Sequence, residues 1–211
     1  YMMWDNNMPL KELAVCLEKP YPKPARLFMT LGNEPAYNNA IANMKELLDG
    51  KNAAAIQWDF QQFPDDTHGS VPLKSIYQGL EYIFNFWPLK QADIDRGIDG
   101  IKEHYATVSR IMGFTVQPPE AAVNAIGYQF IAANRPREAV EVLRFNTTIY
   151  PESANVYDSL GEALEAAGSL REALVNYRKA AEMGEAAKDR NTPIYQQHMK
   201  AAMQKLGTQT P

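Results

Sequence analysis

The segment Phe63–Pro72 carries the side chains of this chain that are best suited to acid–base chemistry. It reads FPDDTHGSVP and holds two carboxylates and an imidazole, that of His68. An imidazole titrates near neutral pH, so it can accept a proton from a hydroxyl and return it to a leaving group. The residues alone leave two interpretations open: His68 is a catalytic base in a loop, or it is a solvated side chain in a polar turn.

The flanking residues predict an α/β arrangement that places this loop at the end of a strand. The apolar run ARLFMTLG at 25–32 indicates a buried strand, and NAAAIQWDFQQF at 52–63 alternates as a half-buried strand does. Helical patterns follow the two strands at 36–50 and 71–87, which predicts parallel pairing with a right-handed crossover. Because two strands are too few for a stable covered sheet, we expect an incomplete sheet, with one further helix near 9–17.

The second half of the chain is helical in pattern and repeats itself. From Glu120 onward, a shift of 34 residues superposes Gly127 on Gly161 and Ala139 on Ala173. We expect these small residues to lie where the two helices of each unit approach closely. A helix near 93–112, followed by a Pro-rich joint, connects the two halves, and a last helix near 193–206 ends the chain.

Composition excludes several classes of function. The 211 residues are 45% apolar and 22% charged with a net charge of −4, so there is no electrostatic case for nucleic-acid binding. The single cysteine, Cys16, excludes an intrachain disulfide and a multi-cysteine zinc site. His68, His104 and His198 show no metal-ligand spacing, and we expect the latter two to be structural or exposed. We therefore expect no metal and no cofactor. We also expect no membrane span, since no apolar stretch approaches ~18 residues.

The repeated unit resembles the tetratricopeptide repeat. Residues that fit its pattern are Leu160, Gly161, Ala173, Tyr177 and Ala180, whereas Asn146 stands where a small apolar residue is usual. Two units are fewer than the roughly three needed for independent stability, so we expect them to pack against a neighbour. The resemblance implies a protein partner or self-association, with a packing appendage as the alternative.

The first half resembles the C-terminal part of α/β-hydrolases, in the family that includes enterochelin esterase and esterase D. The resemblance rests on LGNE after the first strand, on DDTHGSVP after the second, and on the opening YMMWDN. Some bacterial members also carry a C-terminal repeat extension. The fold class this implies is part of an α/β-hydrolase sheet followed by an all-α, tetratricopeptide-like helical repeat domain.

The resemblance also implies roles for His68 and Glu34. The triad of this fold runs nucleophile, acid, histidine along the chain, and His68 occupies the slot of the histidine. Glu34 follows the preceding strand, which makes it the candidate acid that orients the imidazole. Asp65 and Asp66 rank below Glu34, and a Ser–His pair without an acid remains an alternative.

No serine of this chain has the glycine neighbours that a nucleophile elbow needs. The candidates are Ser70, Ser75, Ser109, Ser153, Ser159 and Ser169. We therefore expect a C-terminal fragment of a bacterial serine esterase, which supplies the catalytic histidine but is inactive alone. The alternative is a non-catalytic repeat module for protein binding with a relic α/β unit. The substrate class would be a small-molecule ester, and the compartment, cytoplasmic or periplasmic, stays open.

The expected domain limits follow from these patterns. Residues 1–90 would form the hydrolase part, 91–118 a helical linker, and 119–211 the two repeats with their capping helix.

Overall fold

The chain divides into two compact units, residues 1–88 and 89–211. The computed structural model describes residues 8–18, 25–50 and 56–208. The opening YMMWDN, one of the segments on which the esterase resemblance rests, lies outside the described residues. Within the described ranges, none of the helices combines the length and the apolar character that crossing a bilayer requires.

The described residues of the first unit form a two-stranded parallel sheet with three α-helices. Its elements are α1 (Met8–Leu17), β1 (Ala25–Leu31), a 3-10 turn (Pro35–Tyr37), α2 (Asn38–Gly50), β2 (Ile56–Gln62) and α3 (Val71–Phe84). The strands pair in register from Ala25 opposite Ile56 to Leu31 opposite Gln62. Because the strands are parallel and end together, the loops that follow them leave the same edge of the sheet.

The core of the first unit forms where α1, α2 and the strands meet. Leu17, Met44 and Leu48 pack there with Met29 and Ile56. By contrast, the apolar stripe of α3 is exposed: Leu73, Ile76, Tyr77 and Leu80 are each more than half accessible. The opposite side of α3 contacts β1, where Phe28 packs on Tyr82.

Between residues 89 and 208, the described part of the second unit, the chain forms seven helices. They are α4 (Gln91–Asp95), α5 (Ile98–Met112), α6 (Glu120–Ala132), α7 (Pro136–Ile149), α8 (Ala154–Ala166), α9 (Leu170–Ala187) and α10 (Thr192–Thr208). The helix expected near 93–112 is broken into α4 and α5. Gly97 lies between them with a φ of 71°, a backbone conformation that glycine adopts readily and residues with a Cβ rarely adopt.

The helices pair as two hairpins, α6 with α7 and α8 with α9, and one glycine in each hairpin lets its two helices approach closely. A Cβ on Gly127 would lie 2.4 Å from the Leu143 side chain, and a Cβ on Gly161 would lie 2.5 Å from the Tyr177 ring. The two contacts are 34 residues apart, as the sequence repeat predicts. Asn146, which departs from the repeat pattern, is fully buried, and its amide donates to the Asn124 side chain at 2.8 Å.

The predicted fold class is wrong. The described residues form a two-stranded sheet and ten helices, most of them in a helical bundle, rather than an α/β-hydrolase sheet followed by a tetratricopeptide domain. The hairpins are not a separate stack, because Ile101 of α5 and Ala202 of α10 share one buried core with Leu143 and Leu164. The segment expected as a linker therefore belongs to the core of the second unit.

We predict that Gly161→Ala destabilises the second unit, because Tyr177 is only 2% exposed and its ring has little room to move. Overpacking costs about 1–3 kcal/mol, against a gain in helix propensity of about 1 kcal/mol. The matched control is Gly207→Ala, whose added Cβ meets nothing within 4 Å. Urea unfolding should give a lower free energy of unfolding for Gly161→Ala than for Gly207→Ala. Equal stability of the two variants would contradict the close contact.

Candidate active site

The two loops that follow β1 and β2 are joined by backbone hydrogen bonds. Phe63 N donates to Leu31 O at 2.8 Å, and Asn33 N donates to Asp66 O at 2.6 Å. A Cβ on Gly32 would lie 2.7 Å from the same Asp66 carbonyl oxygen. Position 32 therefore requires glycine, because any larger residue would push the two loops apart.

Asp66 holds the second loop together. Its side chain accepts hydrogen bonds from Ser70 Oγ at 2.9 Å and from Lys74 Nζ at 2.5 Å. The Lys74 hydrogen bond, and then that of Ser70, keep the pKa of the Asp66 carboxyl below its usual value. Asp66 is thus engaged in fixing the loop.

The structure brings Glu34 and His68 together. His68 Nδ1 lies 2.8 Å from Glu34 Oε1. The Glu34 side chain is 16% exposed and the His68 side chain is 63% exposed, so the carboxylate is sheltered and the imidazole reaches solvent. A carboxylate can only accept, so in a neutral imidazole ring this contact favours the tautomer with the proton on Nδ1, which leaves Nε2 as the nitrogen that can act as a base.

A cavity of about 260 Å³ adjoins the pair. Its walls are mostly apolar, and its polar groups come from β1, the 3-10 turn and α3 as well as from the pair itself. The lining residues are Thr30, Leu31, Glu34, Tyr37, Ala40, Ile41, His68, Val71, Pro72 and Ser75. An apolar cavity with a few converging polar groups is the usual form of a small-molecule site.

The serines nearest to His68 along the chain are committed to local hydrogen bonds. Ser70 Oγ donates to Asp66 and accepts from Thr67 N at 3.0 Å. Ser75 Oγ donates to Val71 O at 2.8 Å and lies 2.5 Å from Thr30 Oγ1. These contacts stabilise the start of α3, and they give neither hydroxyl the arrangement of an activated nucleophile.

Sequence reasoning identified Glu34 and His68 but missed the rest of the cavity. Tyr37 and Ser75 line it, although neither lies in a recognisable motif. One signal was available for Ser75: it lies one helical turn after Val71, which places the two on one face of α3. Asp65, the other carboxylate considered in sequence reasoning, is exposed.

Comparisons with known proteins give a fold relationship and no activity. Neither a protein-family model nor a curated protein matches this sequence. A solved structure of an uncharacterised protein from Capnocytophaga ochracea DSM 7271 is similar, with 16% identity and a TM-score of 0.62. The match covers 92% of this chain and 57% of that protein, so the chain spans little more than half the length of the solved protein. At this identity the likeness concerns the fold alone.

We predict that neutral His68 carries its proton mainly on Nδ1, and that Glu34→Gln shifts this balance toward Nε2–H. The Gln amide can donate to Nδ1, which the carboxylate cannot do. Two-bond nitrogen–proton correlation spectra at about pH 9, where imidazoles are neutral, distinguish the two tautomers. The control is Asp65→Asn, which removes an exposed carboxylate from the same loop and should leave the spectrum of His68 unchanged. A wild-type ring protonated mainly on Nε2 would exclude the proposed orientation.

Proposed function

We propose that Glu34 and His68 form the acid and base of a serine esterase whose nucleophile lies outside these 211 residues. The single observation that carries the proposal is the 2.8 Å contact between His68 Nδ1 and Glu34 Oε1 beside an apolar cavity. The pair is built by two loops held by backbone hydrogen bonds. The geometry of the pair therefore depends on these two loops and not on an α/β-hydrolase sheet, the fold that the resemblance implied.

In the proposed reaction, His68 Nε2 takes the proton from a serine hydroxyl as its oxygen attacks the carbonyl carbon of an ester. Glu34 stabilises the imidazolium that forms, because its carboxylate oxygen lies 2.8 Å from Nδ1. The imidazolium then returns the proton to the departing alkoxide, which leaves as an alcohol, while the acyl group stays bonded to the serine oxygen. In the second half, the same imidazole takes a proton from water as the water oxygen attacks the acyl carbon. The serine oxygen then leaves with that proton, and the carboxylic acid is released.

The cavity composition supports an ester as the substrate class. Leu31, Ile41 and Val71 offer an apolar wall for an acyl or alkyl group, whereas the polar groups are few. A substrate with a large charge would find no lysine or arginine among the lining residues. A neutral carboxylic ester is the reactant that these walls and this base fit best.

The exposed stripe of α3 supports the presence of further polypeptide beside the pair. The stripe comprises Leu73, Ile76, Tyr77 and Leu80, and α3 begins only three residues after His68. Burying apolar surface stabilises by roughly 25 cal/mol per Å², so a segment packed on this stripe would be held firmly. We assign this place to the polypeptide that carries the serine, since α3 begins at the end of the loop that holds His68.

We predict that the 211-residue chain hydrolyses p-nitrophenyl acetate no faster than free imidazole does, and that a fluorophosphonate probe does not label it. In a protein that joins the nucleophile to these residues, His68→Ala should lower kcat about 10³-fold or more, since that is the usual contribution of a positioned base. Glu34→Gln should lower kcat at least about tenfold through the wrong tautomer. The matched control is Asp65→Asn, which should leave kcat unchanged.

Two results would each contradict a different part of the proposal. Turnover by the 211-residue chain that His68→Ala abolishes would show that the nucleophile lies within it. Full activity of His68→Ala in the longer protein would exclude His68 as the catalytic base. A non-catalytic module for protein binding would then be the better description of this chain. The coding sequence upstream of Tyr1 offers a direct check for an in-frame Gly-x-Ser-x-Gly.

A further inference from the structure

A second cluster of ionisable side chains lies in the second unit, on α8 and α10. Asp158 and Glu162 are four residues apart on α8, so they project from the same face of the helix. His198 of α10 approaches them, and one donor atom from each of the three residues lies within 4.8 Å of the others. His198 Nδ1 is 3.0 Å from both carboxylate oxygens of Asp158.

This cluster places two carboxylates close together in a sheltered position. The Asp158 side chain is 7% exposed, and its hydrogen-bond partner in the described part of the chain is the His198 imidazole. A pair of like charges one helical turn apart is destabilising, and burial makes an uncompensated carboxylate costlier. The Asp158–His198 contact pairs one of the two carboxylates, and the Glu162 carboxylate stands beside that pair on the same face of α8.

Neighbouring tyrosines contact two of the three side chains. Tyr128 donates its hydroxyl to Glu162 Oε1 at 2.8 Å. The Tyr177 ring packs against the His198 ring with their centroids 5.5 Å apart. Hydrogen bonds and packing of this kind hold metal ligands in position in known metal sites.

Open space adjoins the cluster. A cavity of about 510 Å³ is lined by Glu162 and His198, together with Glu165, Tyr177 and Lys205. A bound ion would therefore keep access to water or to a small ligand. Three protein ligands with one side open are the arrangement found in catalytic, as opposed to purely structural, zinc sites.

We propose that Asp158, Glu162 and His198 bind one divalent transition-metal ion, represented by Zn²⁺, with its remaining position open to this cavity. Metal–ligand bonds of 2.0–2.2 Å place the ligand atoms of a tetrahedral site about 3.3 Å apart. The 3.0 Å between His198 Nδ1 and the Asp158 carboxylate oxygens is already close to that spacing. Glu162 closes the remaining distance by a small shift of its carboxylate, which starts within 4.8 Å of the other two ligand atoms. His198 stays neutral and binds through Nδ1, with its proton on Nε2, so the ion takes the place of the Nδ1 proton shared with Asp158.

The donor set favours a transition metal over Mg²⁺ or Ca²⁺. Those two ions prefer oxygen ligands throughout and six or more of them. An imidazole nitrogen beside two carboxylates instead suits Zn²⁺, Co²⁺ or Fe²⁺. Sequence reasoning expected no metal because the three histidines are scattered, yet this site needs only one of them.

The test is titration of the chelator-treated, full 211-residue chain with Zn²⁺ by calorimetry, and with Co²⁺ by visible absorption. We expect one equivalent to bind, with cobalt bands typical of low coordination number, and a rise in Tm that grows with Zn²⁺ concentration. Asp158→Asn, Glu162→Gln and His198→Ala should each weaken binding at least tenfold. Mg²⁺ and Ca²⁺ should show no saturable binding at the same concentrations.

Glu165→Gln is the matched control, because Glu165 lies on the same helix and lines the same cavity but is outside the cluster. It should change the Zn²⁺ affinity by less than threefold. Circular dichroism confirms folding of each variant, and Glu162→Gln keeps the test decisive if His198→Ala fails to fold. Three results would each overturn the proposal. The first is that no Zn²⁺ binds when it is present at 100-fold excess over the protein. The second is an equal loss of Zn²⁺ affinity in Glu162→Gln and Glu165→Gln, and the third is an affinity for Mg²⁺ equal to that for Zn²⁺.

Discussion

The backbone contact between Gly32 and Asp66 is the constraint on which the candidate active site depends. Asn33 N donates to Asp66 O at 2.6 Å, and the absence of a side chain at Gly32 makes that distance possible. Glu34 lies two residues beyond Gly32, and His68 lies two residues beyond Asp66. The geometry of the acid–base pair is therefore inherited from a backbone contact between two parallel strand ends, and the side chains need little further ordering.

The second unit uses the same physical device between helices. Gly127 admits the Leu143 side chain and Gly161 admits the Tyr177 ring, so each pair of helices packs at short distance. Tyr177, fixed in this way, packs against His198 and so helps to place an α10 side chain beside Asp158 of α8. In both units, the missing side chain of a glycine allows a close contact, and that contact helps to bring an imidazole to a carboxylate.

Local features of the fold were predictable from the sequence, and features that depend on distant packing were not. The strands and the hairpin helices follow from apolar periodicity, and the Gly161 contact follows from the 34-residue repeat. The shared core of α5 with the hairpins depends on non-local contacts, and the predicted hydrolase sheet followed by a separate repeat domain was wrong. Glu34 and His68 came from a family resemblance, and their catalytic role stays a prediction. The proximity of His198 to Asp158 spans 40 residues and has no local signal.

The most direct measurement of the central constraint is amide hydrogen exchange at Asn33 in the wild type and in Gly32→Ala. The account predicts a protected Asn33 amide in the wild type, because it donates to Asp66 O. In Gly32→Ala the added methyl collides with that backbone oxygen, so the protection should be lost while amides in α2 keep theirs. An Asn33 exchange rate unchanged by Gly32→Ala would contradict the account, since the two loops would then be held together by something other than this contact.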